Sequence, residues 1–228
     1  MRPSSVSLYD LQHWAKRAGF ELAEDTLRPL AGYLDLLTQW NRVMNLVGTR
    51  TAEETFDTLV VDSLHLGGFL REKAGLPDAP SCWDLGSGAG LPGVPLRMVW
   101  QAGDYWMVEA REKRALFLST VLAKYPLPGT HVFRGRAEAF MAGPPARTAD
   151  LVVSRAFMPW PKVLELVQDQ LTPEGVVVLL LRERLQDSPD WEQAVRHWRL
   201  IAASDYPVAR TKRFLFALSR HNAPSCPS

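Results

Sequence analysis

Leu8, Leu11, Trp14 and Ala15 recur at the spacing of one helical face, with Ser7 placed to cap the start and Gly19 to end it. Leu27, Leu30, Leu34, Leu37 and Val43 carry the same rhythm and predict a longer helix over roughly 24–46, packed through those side chains. Thr51 followed by Glu54 is a capping-box pair and predicts a third helix ending near Gly67-Gly68. After GLPDAP the period shortens. CWDL, DYWMVEA, HVFRG, DLVVSRAF, GVVVLLLR, RLIAASDYPV and RFLFALSR read as strands, with helical stretches near 92–101, 111–125, 161–171 and 189–197. Such alternation predicts parallel βαβ units in a doubly wound sheet with helices on both faces. No helical stretch separates the last two strands, so they are expected to add an antiparallel hairpin at the sheet edge. The chain divides into an amino-terminal helical extension (1–75), an α/β domain (76–221) and a short tail (222–228), without internal repeats.

Composition narrows the class. The 228 residues are 46% hydrophobic and 22% charged, ordinary values for a globular chain. The longest aliphatic run, 176–181, is far too short to span a bilayer, and the first residues hold no apolar stretch resembling a signal peptide. Cys82 and Cys226 make neither a disulfide framework nor a metal-ligand cluster. A cytoplasmic, metal-free, monomeric protein is expected. The net charge of +1 hides an asymmetry: residues 111–136 carry six basic residues and one acid, and Arg210, Lys212, Arg213 and Arg220 follow with no acid among them. Patches of this kind suit a polyanion, or simply solvated helix faces and loop ends.

The chemistry concentrates in SCWDLGSGAGLPGVPL, residues 81–96, where four glycines follow an acidic strand end. In an open α/β sheet the loops at the carboxyl ends of the strands form the ligand pocket, and glycine lets the backbone turn tightly and approach a ligand. Pro92 suits the first turn of the helix that follows. Gly88, Gly90 and Gly93 formally satisfy the dinucleotide pattern G-x-G-x-x-G. A dinucleotide loop, however, runs straight from the strand into its first glycine, so that the pyrophosphate sits on the helix amino terminus. Here Asp84 and Gly86 come first. A carboxylate at that point favours a cationic ligand such as S-adenosylmethionine, with a dinucleotide as the alternative. Glu109, ending the second strand, is placed to accept hydrogen bonds from ribose hydroxyls of either.

Several segments together carry a resemblance: QWNRVMNLVGTR, VVDSLHL, WDLGSGAGLPGVPLRMV, VEAREKRALFL, RGRAEAF and DLVVSRAF. Over about residues 35–182 the chain resembles the bacterial small-subunit ribosomal RNA guanine-N7 methyltransferases, also called the glucose-inhibited division protein B family. The resemblance implies a Rossmann-like S-adenosylmethionine-dependent methyltransferase fold behind a helical extension, releasing S-adenosylhomocysteine. It implies cofactor contacts at Gly86, Leu91, Ala137, Glu138 and Arg155. Gly86 would allow close backbone approach, Leu91 would pack on the ligand, and Ala137 and Glu138 would read the adenine. Arg155 could pair with the methionine carboxylate or with an RNA phosphate, and so is a positioning candidate; its structural alternative is an ion pair with Asp84 or Glu138. The chain departs from the family pattern at Thr58-Leu59, Val47 and Arg182, outside the cofactor loop.

Guanine N7 loses no proton on methylation, so the reaction needs placement rather than a general base. The sequence accords with this: it has no D/N-P-P-Y tetrapeptide for amine methylation and no cysteine placed to attack a pyrimidine. N7 lies on the deep, narrow groove of A-form RNA, so the target is expected to be unpaired or splayed out. Phe157 and Trp160 are stacking candidates, while Trp40 and Asn45 read as packing residues. Arg111, Lys113, Arg114, Arg134, Arg136, Lys212 and Arg213 are candidates for RNA phosphates. The expected partner is small-subunit ribosomal RNA within the ribosomal subunit, because near-neutral net charge predicts weak binding to naked RNA. Alternatives are a small-molecule methyltransferase, a nucleotide-dependent oxidoreductase, or a non-catalytic assembly factor that binds RNA.

Overall fold

A computed structural model describes residues 5–143, 148–209 and 211–221. Four helical segments come first: α1 (Leu8–Arg17), α2 (Glu24–Met44), α3 (Ala52–Thr55) and α4 (Val61–Lys73), the last two joined by a π-helical turn (Phe56–Val60). The Ser7 hydroxyl accepts from the Asp10 amide to cap α1, and Asn45, at φ 48°, ends α2 in the left-handed conformation. Thr51 Oγ1 accepts from the Glu54 amide (3.1 Å), but Glu54 reaches back to the Arg50 amide (2.7 Å), one residue before the expected partner.

Two expectations fail here. The third helical stretch does not end at Gly67-Gly68 but runs on to Lys73. Gly67 serves close packing instead: a Cβ there would stand 2.9 Å from Val99 Cγ2 on α5 (Gly93–Val99). Val43 is 85% exposed and lies off the packed face of α2; the helix turns about 100° per residue, so its sixteen-residue separation from Leu27 drifts out of phase with the buried leucines.

The remaining strands and helices alternate as predicted. Strands β1 (Ser81–Leu85), β2 (Asp104–Glu109), β3 (Thr130–Arg134), β4 (Ala149–Arg155) and β5 (Leu171–Leu181) are parallel, and β6 (Trp198–Val208) and β7 (Thr211–Arg220) form the antiparallel hairpin. The seven-stranded order is β3-β2-β1-β4-β5-β7-β6, so strand order reverses between β1 and β4. The crossovers are α5, α6 (Glu112–Lys124), α7 (Ala137–Met141) and α8 (Trp160–Val167), with α9 (Trp191–Ala194) before the hairpin. The five-residue α7 is too short for periodicity to reveal.

Period-two alternation sends the strand side chains into two cores. Leu151, Val153, Val176 and Val178 pack with α1, α2 and α4–α6, whereas Val152, Val177 and Leu179 pack with α7 and α8. The helical extension thus shares one continuous core with the sheet. Arg97 on α5 is wholly buried. Its guanidinium donates to the carbonyls of Ala102 (2.7 Å), Gln101 (3.1 Å), Gly103 (3.1 Å) and Pro128 (2.7 Å), and its Nε to Thr130 Oγ1 (3.0 Å). One side chain thereby holds the α5–β2 and α6–β3 turns together.

A lysine cannot fan donors to that many carbonyls. Arg97→Lys is expected to lower unfolding free energy by about 2–4 kcal/mol, measured by urea denaturation followed by circular dichroism.

Candidate functional site

The carboxyl ends of β1, β2 and β4 surround the point where strand order reverses, and the glycine loop closes over it. Gly86 and Ser87 donate from their amides to Val108 O at the end of β2 (2.9 and 3.2 Å), which folds the loop back across the sheet. Gly86 has φ +71°, and a Cβ on it would stand 2.4 Å from Phe157 Cδ2. Both the turn and the aromatic ring therefore require glycine there. From behind, Tyr33 on α2 donates its hydroxyl to Ala89 O (2.8 Å). The helical extension thus holds the loop in place.

Glu109 is the loop's second brace. Its Oε2 accepts from the Gly88 amide and its Oε1 from the Arg111 amide, both at 2.8 Å. The two amide donors offset part of the cost of burying that carboxyl, and each oxygen keeps a lone pair for a further donor.

In front of this loop lies a cleft of about 400 Å³. Gly86, Glu109, Ala137 and Glu138 line it, so four of the eight candidate cofactor residues converge there. Gly88 adjoins through its bond to Glu109. The other three stand behind the wall. Asp84 is 1% exposed and lies beneath the loop, Leu91 is buried in the core, and Arg155 does not reach the cleft, although the next residues, Ala156 and Phe157, do.

Arg155 pairs with neither Asp84 nor Glu138. Its Nε donates to Asp62 Oδ2 (3.0 Å), and Tyr206 donates its hydroxyl to Asp62 Oδ1 (3.0 Å). Asp62 is 1% exposed on α4, ninety-three residues from Arg155. His65, one turn along α4, stacks on Tyr206 with centroids 4.0 Å apart. Asp62, Tyr33 and Tyr206 were missed in the sequence, although a lone carboxylate inside the apolar run VVDSLHL was a signal that could have found the first.

The basic candidates divide. Arg111, Arg114 and Arg136 line the cleft, and Lys113 is exposed on α6 beside them. Arg134 is engaged by Glu112 and Lys212 by Asp205, each at 2.8 Å. Lys212 and Arg213 open β7, next to the carboxyl end of β5, two strands beyond β4. Arg210 lies outside the described residues. Trp160 packs with the α7–α8 core and Trp40 against Phe117. Among the described residues no group of acidic, histidine or cysteine side chains has metal-site geometry, and no helix is long and apolar enough to cross a membrane.

Residues 26–213 match the family model described as rRNA small subunit methyltransferase G. The chain belongs to this family. A methyltransferase G from Nitratidesulfovibrio vulgaris (strain DP4) is 61% identical over 175 residues, 77% of this chain and 79% of the relative. Another, from Lawsonia intracellularis (strain PHE/MN1-00), is 44% identical over 217 residues, 95% of this chain and 97% of the relative. Among solved structures, the chain is similar to an O-methyltransferase from Bacillus cereus in complex with SAH. That match has a TM-score of 0.62 at 15% identity, covering 93% of this chain and 99% of that one. The ribosomal protein L11 methylase from Lactobacillus delbrueckii subsp. bulgaricus gives 0.52 at 15% identity, covering 70% and 77%. At such identities the likeness is one of fold, and it is the Rossmann-like methyltransferase fold that the family resemblance implied, with the doubly wound sheet expected from the strand pattern. The small subunit methyltransferase G assignment agrees with the resemblance carried by the glycine loop and its companion segments.

Burial beneath the loop pushes the Asp84 carboxyl up to about 7, against the opposing pull of Tyr105, Ser87 and then the Arg155 charge. A carboxyl raised in the folded state binds its proton more tightly there than in the unfolded chain. Its contribution to stability is therefore full below about pH 4 and is lost as pH rises to about 7. The unfolding free energy of the native chain relative to Asp84→Asn should fall across that window and level off above it, measured by urea titration at half-unit pH steps.

Proposed function

We propose that this chain transfers a methyl group from S-adenosylmethionine to N7 of one guanosine in small-subunit ribosomal RNA, with the assembled subunit as substrate. The observation that carries this reading is the Glu109-braced glycine loop over a cleft at the strand-order reversal, in a chain of the rRNA small subunit methyltransferase G family.

The residues present fit the cofactor. Gly86 bears no Cβ on the cleft wall, Glu109 retains acceptor capacity for ribose hydroxyls, and Ala137 and Glu138 stand at the start of α7 where an adenine edge can be read. Bound S-adenosylmethionine supplies an electrophilic methyl group, leaving S-adenosylhomocysteine as product. The chain's own task is orientation. Guanine N7 already presents a lone pair, so the protein has only to hold the base in line at near-attack distance and exclude water. Phe157, a cleft-lining aromatic next to Gly86, offers a stacking face for a splayed base. The purine becomes cationic as N7 is methylated, and the Glu109 and Glu138 carboxylates are the anionic groups at the cleft that offset this charge. Arg155 acts at one remove, as a positioning residue: clamped by Asp62, it fixes the end of β4 from which Ala156 and Phe157 enter the cleft.

Incubation with labelled S-adenosylmethionine and small ribosomal subunits lacking the modification should place label in 7-methylguanosine on nucleoside analysis. Label in a different nucleoside, or only in small molecules, would overturn the proposal. In Gly86→Ala the Cβ displaces Phe157 and strains a left-handed residue by about 1–2 kcal/mol. Calorimetry should show S-adenosylmethionine affinity reduced about tenfold or more, with an unchanged far-ultraviolet spectrum.

A further inference from the structure

A second hollow, of about 640 Å³, opens between the carboxyl end of α2, the loop that follows it and α6. Its rim carries three arginines, Arg42, Arg50 and Arg114, and its lining includes no acidic residue. Among the described residues none of the three takes part in an ion pair. Glu54, the acidic residue bonded to this loop, already accepts from the Arg50 amide (2.7 Å).

The walls are built rather than merely open. Asn41 accepts from the Val47 amide (2.9 Å) and donates to Thr49 O (3.2 Å), fixing the loop onto α2. Thr49 and Thr55 share a hydroxyl–hydroxyl bond of 2.6 Å, and Thr55 Oγ1 donates to Thr51 O (2.8 Å). Asn45, in its left-handed conformation, turns the chain into the hollow. Arg114 lines both this hollow and the cofactor cleft, so the two are neighbours across one side chain.

The geometry points to a binding site for the RNA backbone: the Arg42–Arg50–Arg114 hollow takes a phosphodiester flanking the nucleotide held in the cleft. Planar guanidinium groups match phosphate oxygens in pairs, and unpaired arginines around an acid-free pocket make a local positive field that the net charge of +1 conceals. Phosphate contacts of this kind fix register on the nucleic acid without reading its sequence. Arg42 and Arg50 come from the helical extension, which thereby gains a substrate role. The inference rests on the reading that ribosomal RNA is the substrate.

The test compares the full-length protein with the Arg42→Gln/Arg50→Gln double variant and its Lys/Lys counterpart, on small subunits lacking the modification. S-adenosylmethionine affinity is measured first, and should stay within about twofold because neither residue lines the cleft. In methyl transfer the Gln/Gln variant should raise KM for subunits about tenfold or more, with kcat moved far less. The slope of log KM against log salt should fall by about two. Lysines, which keep charge but not the fork, should restore the salt slope and only part of KM. Unchanged KM and salt slope in Gln/Gln would overturn the site, as would loss of cofactor affinity in a folded variant. Failure of the native protein to methylate subunits would overturn the functional reading instead. Direct subunit binding by sedimentation then decides the hollow on its own: weaker binding by Gln/Gln upholds it, and equal binding rejects it.

Discussion

A carboxylate shut away from water must find its donors in the protein, and Asp62 finds them at two distant places in the chain. It sits on α4, takes Nε of Arg155 from the end of β4, and takes the Tyr206 hydroxyl from β6. The helical extension, the strand at the order reversal and the terminal hairpin meet at this one side chain. Removing either donor would leave buried polarity unmatched, so the three regions hold one arrangement. Phe157, two residues past Arg155, enters the cleft from that fixed point.

The same economy governs the glycine loop. Left-handed glycines let it turn tightly, but they do not make it rigid. Rigidity comes from Glu109 in front and Tyr33 behind, with Val108 O holding the loop's first amides. Preorganised in this way, the site suits a reaction whose barrier falls through placement rather than proton transfer. A nucleophile with a free lone pair requires geometry above all.

Charge makes a parallel case. The net value of +1 suggests indifference to polyanions, yet the distribution does not. Arg134, Lys212 and Arg17 are engaged by acidic neighbours, and Arg97 is buried among carbonyls. Arg42, Arg50, Arg111, Arg114 and Arg136, none of them in an ion pair among the described residues, line the cleft and the adjoining hollow, while Arg182, Arg184, Arg196, Arg199 and Arg213 lie elsewhere. Having no acidic partner and standing at the cleft or the hollow together single out the arginines that can meet a phosphate there.

Local features of the sequence were enough for most of the elements and for the loop, but not for the five-residue α7 or the end of α4. Strand alternation, helix periodicity and the Ser7 and Thr51 caps act over a few residues, so they are written in neighbouring positions. The parallel βαβ units followed from the alternation and the terminal hairpin from the missing helix between the last two strands. Glu109 followed from its place at a strand end, and Gly86, Ala137 and Glu138 from the family resemblance; the strand order itself is set by the tertiary structure. Tertiary structure alone decided the rest. Arg155, a candidate for the cofactor carboxylate or an RNA phosphate with Asp84 or Glu138 as its structural alternative partners, turned to Asp62 instead. Val43 left the core, and Gly67 proved a point of contact rather than a helix end. Arg97 met its carbonyls, and Arg42 and Arg50 came to stand beside Arg114. The physical reason is common to all of these. A buried charge, a close-packed glycine or an unpaired guanidinium is defined by what lies across from it in space, and its partners stand tens of residues away with no periodicity to announce them.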